Sequence, residues 1–308
     1  MNRPEAVEVA VIGSGAIGGY LARAAAAAGH AVTLCVRTPI DRLEIREKDG
    51  DFRSVPVRIV SDPADLGGCG PAPWVVVAVK AQDTPSAAPW LARLAGPETV
   101  VVAAQNGIEQ RERLSPFVSA DAVMPALVYV TVERVAPGRI VHHSGSRVVV
   151  PEGAAGAAFA RLLSGSGTKV EPAADFTTAL WQKLLSNIAA NPITALTMRR
   201  IGVLLEPEVR DLAATVLREA VAAGRAAGAA LSETDVAERL DVYAAYRPDS
   251  TGGTSMLYDR LAGRPLEYDH ITGALIRSAE RTGTPVPLNR AIYALLKGLD
   301  GALRQPGG

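Results

Sequence analysis

The chain has 308 residues, long for a single hydrophobic core, so two domains are the default expectation. Its 48% apolar fraction is that of a globular protein, and 32 basic residues against 32 acidic ones leave no bulk field to draw it to nucleic acid or an anionic membrane. Two cysteines, Cys35 and Cys69, in no metal-type spacing, are too few for a disulfide scaffold. The strongly apolar run "WVVVAV" at 74–79 is of strand length, well short of the roughly 20 residues a membrane span requires. The opening "MNRPEAVEVAVIG" shows no basic stretch, apolar core and cleavage site in succession. A soluble cytoplasmic protein is the expectation.

From residue 7 the pattern runs strand, Gly-rich turn, helix, strand: "VEVAVI", "GSGAIGG", "YLARAAAAAG", "HAVTLCV". Apolar runs at 55–60, 74–79 and 99–104 follow, with helical stretches between several of them. Strands that are apolar throughout and alternate with helices predict an α/β fold, a parallel, doubly wound sheet covered on both faces. Next come "AVMPALVYVTV", "GRIVHHS" and "SRVVVP", joined by short turns, which predict an antiparallel extension of that sheet. From Asp175 helical periodicity takes over, most clearly in "VRDLAATVLREAVAAGRAAG" and "TGALIRSAERTG". The change of texture sets the expected boundary: a dinucleotide-binding domain over 1–172 and a helical domain over 173–308.

Gly13-Ser14-Gly15-Ala16-Ile17-Gly18 is a G-x-G-x-x-G lying directly between a strand and a helix. Gly13 permits the tight turn, Gly15 lets the backbone approach a pyrophosphate, Gly18 allows close packing of helix on strand, and the amides at the helix start face the anion. About 20 residues on, where an acid would hold the 2′-hydroxyl of NAD, the second strand ends in "CVRTP" and offers Arg37. A guanidinium suits a 2′-phosphate, so NADP(H) is favoured over NAD(H), the alternative being that Arg37 is only a solvated strand-end charge. Lys80 closes "WVVVAVK" and Asn106 sits in "VVAAQNG". Each is an ordinary strand-end residue alone, yet both face the crevice beyond the carboxyl ends of the strands, where such sheets bind ligands.

In the second half, "LWQKLLSNIAANPITAL" at 180–196 is an amphipathic helix with a polar stripe. At about 100° per residue, Asn187 lies about 40° and Asn191 about 80° around the axis from Lys183. Pro192 cannot continue the hydrogen-bond ladder and pushes Asn191 away from helical geometry, which predicts a kink there. The stripe reads as a narrow solvent face or as a functional wall. Apolar neighbours around most of the helix favour the wall, since a buried lysine has its pKa lowered toward that of a proton donor working near neutral pH.

These residues carry a resemblance to the ketopantoate reductase family, the NADPH-dependent 2-dehydropantoate 2-reductases. It spans nearly the whole chain, through "VIGSGAIGGYLA", "VKAQDT", "AQNGIEQ", "LWQKLLSNIAANPITAL" and "TSMLYDRLAGRPLEYDHITGALI", with the Ser255-to-Glu267 spacing in keeping. The resemblance implies a Rossmann domain, then an all-helical domain like that of 6-phosphogluconate dehydrogenase, with the active site in the cleft between them and a homodimer as the assembly. It implies Lys183 as proton donor and Asn106, Asn187, Asn191 and Ser255 as substrate-binding residues. Glu267 is implied to lie against the cofactor and the lysine, its other reading being a carboxylate placed near a helix N-terminus. Two positions depart from the pattern: Ile201 stands where some members have asparagine, and Tyr258 replaces a more typical glutamine. Relatives reduce other 2-oxo acids, ketones or imines.

Two further motifs read as decoys. Tyr293 and Lys297 have the Tyr-x-x-x-Lys spacing of short-chain dehydrogenases but fall outside the nucleotide fold, so Tyr293 reads as helix packing. His142 and His143 are adjacent on a strand, point to opposite faces, have no acidic partner near them in the sequence, and predict no metal site. The functional classes left open are an NADPH-dependent reductase of a small 2-oxo acid and a non-catalytic NADP(H)-binding sensor.

Overall fold

The computed structural model describes residues 6–47, 50–68 and 70–304, so Cys69 lies outside the described residues. The chain separates into two compact units, the first running to Phe176 except for Asn106–Ile108, which belong with the second, from Thr177 onward.

The first unit begins with β1 (Glu8–Ile12), α1 (Ala16–Ala27), β2 (Ala31–Cys35), β3 (Leu43–Glu47), β4 (Arg53–Val55), β5 (Arg58–Val60), β6 (Trp74–Val77), α2 (Ala88–Leu94) and β7 (Val100–Ala103). It continues with α3 (Gln110–Leu114), β8 (Val123–Pro125), β9 (Leu127–Ala136), β10 (Arg139–Pro151), α4 (Ala154–Leu162) and β11 (Lys169–Ala173). Six strands form one sheet in the order β5-β2-β1-β6-β7-β8, and every pair is parallel. All four residues of β6 are buried, which is why that run is apolar without alternation. The strand order reverses beside β1, where doubly wound sheets open their ligand crevice.

Two expectations for this half are corrected. The run at 55–60 is not one strand: Val55 ends β4 and Arg58 begins β5, in different sheets. Pro56, between them, has no amide hydrogen to continue a ladder. Nor do the strands after residue 122 extend the parallel sheet. Only β8 joins it, while β9 and β10 belong to a second sheet of order β11-β10-β3-β4, in which β10 pairs antiparallel with β9 and parallel with β11 and β3. "GRIVHHS" and "SRVVVP" are one strand, β10, because Ser-Gly-Ser is a bulge rather than a turn: the register against β9 shifts between His142 and Arg147. Gly145 has φ +79° there, and a Cβ on it would lie 2.6 Å from the Tyr129 carbonyl oxygen.

The second unit is helical: α5 (Phe176–Ile188), α6 (Ala190–Thr197), α7 (Pro207–Ala226), α8 (Glu233–Ala244), α9 (Ser255–Leu261), α10 (Ala274–Thr282) and α11 (Pro287–Arg304). A π-turn over Asp269–Gly273 leads into α10. Helix α7 starts on Pro207, where the missing amide hydrogen costs nothing, and buries Ala213, Val216, Leu217, Ala220, Val221 and Gly224 at three- and four-residue steps. That stripe packs with Trp181, Leu184 and Ile188 of α5, Leu275 of α10 and Leu296 of α11 into one core. Among the described residues no helix is long and apolar enough to cross a membrane.

Candidate active site

In the first unit the glycine loop is tied down from two sides. The Gly13 N–H donates to the Cys35 carbonyl at 2.9 Å, and a Cβ on Gly13 would lie 2.9 Å from the Val79 nitrogen. Gly13 also has φ +110°, so glycine is required for conformation and for room. A Cβ on Gly18 would sit 1.9 Å from the Gly13 carbonyl oxygen, which makes it the closest approach of helix to turn in the loop.

Gly15 differs from both. Its φ of −68° suits any residue, and the nearest protein atom to a Cβ there is 3.9 Å away. The fold itself does not ask for glycine at Gly15; the open space is what a pyrophosphate needs. Helix α1 has no side-chain cap and no acid in its first turn, so its N-terminal amides, over Ala16, Ile17 and Gly18, offer uncompensated positive potential to an anion. The residues present therefore fit a dinucleotide phosphate.

Arg37 follows β2 with its side chain 78% exposed, and its nearest acid is Asp83 at 3.9 Å. It is free to swing toward a phosphate, because an exposed pair at that distance is weak. Lys80 stands at the start of the 3₁₀ helix Ala81–Ala87, just past β6. Sequence reasoning passed over Gln105. Its amide donates to the Val79 carbonyl at 3.0 Å and to Thr84 Oγ1 at 2.9 Å, while its own oxygen accepts from Arg113 at 3.2 Å. Those bonds fix the strand end just before Asn106. Only its place beside Asn106 in "AQNG" could have signalled it.

In the second unit Lys183 and Asn187 lie on α5 and Asn191 on α6, and the expected kink needs one correction. The chain leaves α-helical pairing at Ala189 and resumes at Ala190, so Asn191 is itself helical and the break precedes it. Pro192 clashes with and cannot donate to the carbonyl four residues back, at Ile188, so the strain is relieved there and not at the residue next to it. Lys183 and Asn187 are half-buried, and Asn191 is 3% exposed with its Nδ2 lacking any hydrogen-bond acceptor. A buried amide donor without a partner is uncommon and suits a ligand oxygen.

Thr194, one turn beyond Asn191, bonds the Ala190 carbonyl and Thr254 Oγ1, each at 2.7 Å. Thr254 caps α9 by accepting from the Leu257 N–H at 3.2 Å, and the next residue is the exposed Ser255. Arg260 of α9 donates to the carbonyls of Ala195 and Leu196 at the end of α6. Helix α9 is thus locked to α6 at both ends. Tyr258 gives its hydroxyl oxygen to the Gly253 N–H at 3.0 Å, and its ring lies under the Arg200 guanidinium. Its size therefore shapes the loop that leads to Ser255. Ile201 is buried, its N–H donating to the Gly252 carbonyl at 3.0 Å.

Glu267 is 5% exposed, and its Oε2 accepts from the Asn106 side-chain amide at 3.3 Å. Two residues that sequence spacing places far apart are thereby brought together.

The decoys need two corrections. Tyr293 does more than pack: its hydroxyl donates to Asp269 Oδ1 at 2.8 Å. His142 and His143 point apart but do have acidic partners, Glu47 at 2.6 Å and Glu133 at 3.2 Å, contributed by neighbouring strands. Among the described residues no three His, Cys, Asp or Glu side chains gather into a metal-binding group. Cys35 is buried, and that burial pushes its thiol up to about 12 against the opposing charge of Arg58, which leaves it inert.

Family models described as ketopantoate reductase PanE/ApbA and as its C-terminal region match residues 9–170 and 175–300. A 2-dehydropantoate 2-reductase of Caulobacter vibrioides is 37% identical over 94% of this chain and 97% of its own length. One from Mycobacterium tuberculosis is 36% identical over 94% and 97%. Among solved structures, a dimeric ketopantoate reductase from Staphylococcus aureus superposes with TM-score 0.86 at 26% identity, covering 96% of this chain and 100% of that one.

Proposed function

The chain belongs to the ketopantoate reductase family, and from that premise we propose that it reduces 2-dehydropantoate to pantoate with NADPH, Lys183 donating the proton. It is an oxidoreductase of the class that acts on CH–OH groups, here run as the reduction of the carbonyl of a small 2-oxo acid to a 2-hydroxy acid. The observation that carries the finer reading is the stripe of Lys183, Asn187 and Asn191, in which the buried Asn191 amide is held with an unused donor.

The first unit supports NADPH through the open Gly15, the uncapped start of α1, the exposed Arg37 for the 2′-phosphate, and Lys80 at the next strand end. NADPH when bound supplies the hydride that adds to the carbonyl carbon. As negative charge grows on the carbonyl oxygen, Lys183 donates its proton there and is left neutral. Asn187 and Asn191 orient the substrate with neutral amides, which stabilise the developing oxyanion without adding a charge that would compete for the proton. Ser255 and Asn106 supply further donors for the carboxylate and hydroxyl. Glu267, held by Asn106, is the negative partner that keeps this cationic site balanced. By analogy with the dimeric relative the working form is a homodimer.

The test is a panel of 2-oxo acids, ketones and cyclic imines followed by NADPH absorbance. 2-Dehydropantoate should give the highest kcat/KM. Lys183→Ala should lower turnover by about two to four orders of magnitude with NADPH affinity nearly unchanged. Turnover left intact in that variant removes Lys183 from the mechanism, and a clear preference for another panel member replaces the substrate.

A further inference from the structure

Glu267 stands immediately before a helix that begins irregularly. Tyr268 opens it, Asp269–Gly273 form the π-turn, and from Ala274 it runs as α10. A π-turn takes in one residue more than an α-turn, so Glu267 is rotated by about 100° from where an uninterrupted helix would carry it. The direction of its carboxylate therefore depends on whatever holds that turn.

What holds it is a clamp of three side chains. The Asp269 carboxylate accepts from the Tyr293 hydroxyl at 2.8 Å and from Arg277 Nη1 at 3.1 Å, and Arg277 Nη2 donates to the Asp269 carbonyl at 2.9 Å. One guanidinium thus grips both the side chain and the backbone of the π-turn. Gly273 makes room for the grip: a Cβ there would lie 2.6 Å from Asp269 Oδ1 and 3.0 Å from Tyr293 Cε2, although its φ of −63° is ordinary for any helical residue. Before Glu267, the Leu266 N–H donates to the buried Asp300 carboxylate at 2.7 Å. The Glu267 carbonyl accepts from the amides of His270 and Ile271, both at 3.1 Å. Backbone anchors on both sides fix the Glu267 main chain, and from that position its carboxylate accepts from Asn106 at 3.3 Å.

An ion pair as exposed as Asp269 with Arg277 adds little stability by itself. Its geometric consequence is larger. We infer that Asp269, Arg277 and Tyr293 are positioning residues for Glu267: they fix the π-turn and so aim the Glu267 carboxylate at Asn106. The inference rests on the role given to Glu267 in the proposed reaction.

The experiment is a double-mutant cycle. Tyr293→Phe alone should lower kcat/KM roughly tenfold, whereas in a Glu267→Gln background the same change should cost less than about twofold, because no carboxylate is left to aim. Asp269→Asn, which keeps an oxygen to accept from Tyr293, should recover most of what Asp269→Ala loses. Asp269→Ala, which removes the acceptor of both Tyr293 and Arg277, takes the place of Tyr293→Phe in the cycle if the latter folds poorly by circular dichroism. Equal losses in both backgrounds, or a silent Tyr293→Phe beside an impaired Glu267→Gln, overturn the positioning role alone. A silent Glu267→Gln overturns the role of Glu267 and the clamp with it. Read on NADPH affinity by fluorescence titration, the same cycle decides the matter even if 2-dehydropantoate is not turned over.

Discussion

Thr194 Oγ1 lies 2.7 Å from Thr254 Oγ1, joining the helix that carries Asn191 to the cap of the helix that opens with Ser255. Thr194 directs its proton to the Ala190 carbonyl, so Thr254 donates to Thr194 while its lone pair accepts from Leu257. Thr254→Val removes both the cap and the link. The expected outcome is a loss of about 1 kcal/mol in urea denaturation together with a raised KM for the 2-oxo acid. A KM that stays at the wild-type value would show that α9 holds its place without the link.

Arg37→Ala should weaken NADPH by more than about tenfold and NADH by less than about twofold, because only the former carries a phosphate to pair with the guanidinium. Equal losses for the two cofactors, in parallel titrations, would assign the 2′-phosphate elsewhere.

Two glycines of one loop should separate folding from binding. A Cβ on Gly18 would sit 1.9 Å from a carbonyl oxygen, so Gly18→Ala should lower stability by about 1 to 3 kcal/mol through overpacking. A Cβ on Gly15 meets no protein atom closer than 3.9 Å. Gly15→Ala should melt like the wild type and yet lose NADPH affinity, because the methyl would occupy the space left for the pyrophosphate. Differential scanning calorimetry with NADPH titration of both variants checks the contrast.

The clamp at Asp269 should have a pH signature at both ends. Burial pushes the Asp269 carboxyl up, but the Tyr293 hydrogen bond and the Arg277 charge more than offset it, so its pKa is lowered. Its stabilising contribution is then present above the unfolded carboxylate range and is lost as pH falls through the depressed value. Tyr293 is pushed up to about 12, first by burial and then by its bond to Asp269. Its contribution is complete below the unfolded phenol value, roughly 10, and disappears as pH rises through the folded one. Tyr293→Phe should therefore flatten the stability profile between about pH 10 and 12. Profiles that superimpose would exclude Tyr293 as the source.

Much of the first unit was legible because its signals are local. A strand, a glycine turn and a helix over residues 8–27 need only their own sequence to declare themselves. Periodicity likewise announced α7 and α10. The errors came where pairing across the chain overrode local texture. Ser-Gly-Ser looks like a turn until β9 runs alongside and makes it a bulge, and the histidines of β10 look unpartnered until strands β3 and β9 bring Glu47 and Glu133 to them. The acceptor of Tyr293 lies 24 residues away in sequence, at no spacing that a helix or strand period would reveal.

Local patterns sufficed for the order of an α/β half and a helical half, for the glycine loop at 13–18, and for the expectation of a polar stripe at 183, 187 and 191. Each of these follows from backbone rules and periodicities that act over a few residues. The surroundings of the polar groups came from long-range packing. That packing set Asn106 against Glu267, left the Asn191 amide without an acceptor, moved the break before Pro192 back to Ala189, and put a clamped π-turn next to Glu267. Side-chain direction depends on where distant backbone segments come to rest, and that is settled by packing the whole core.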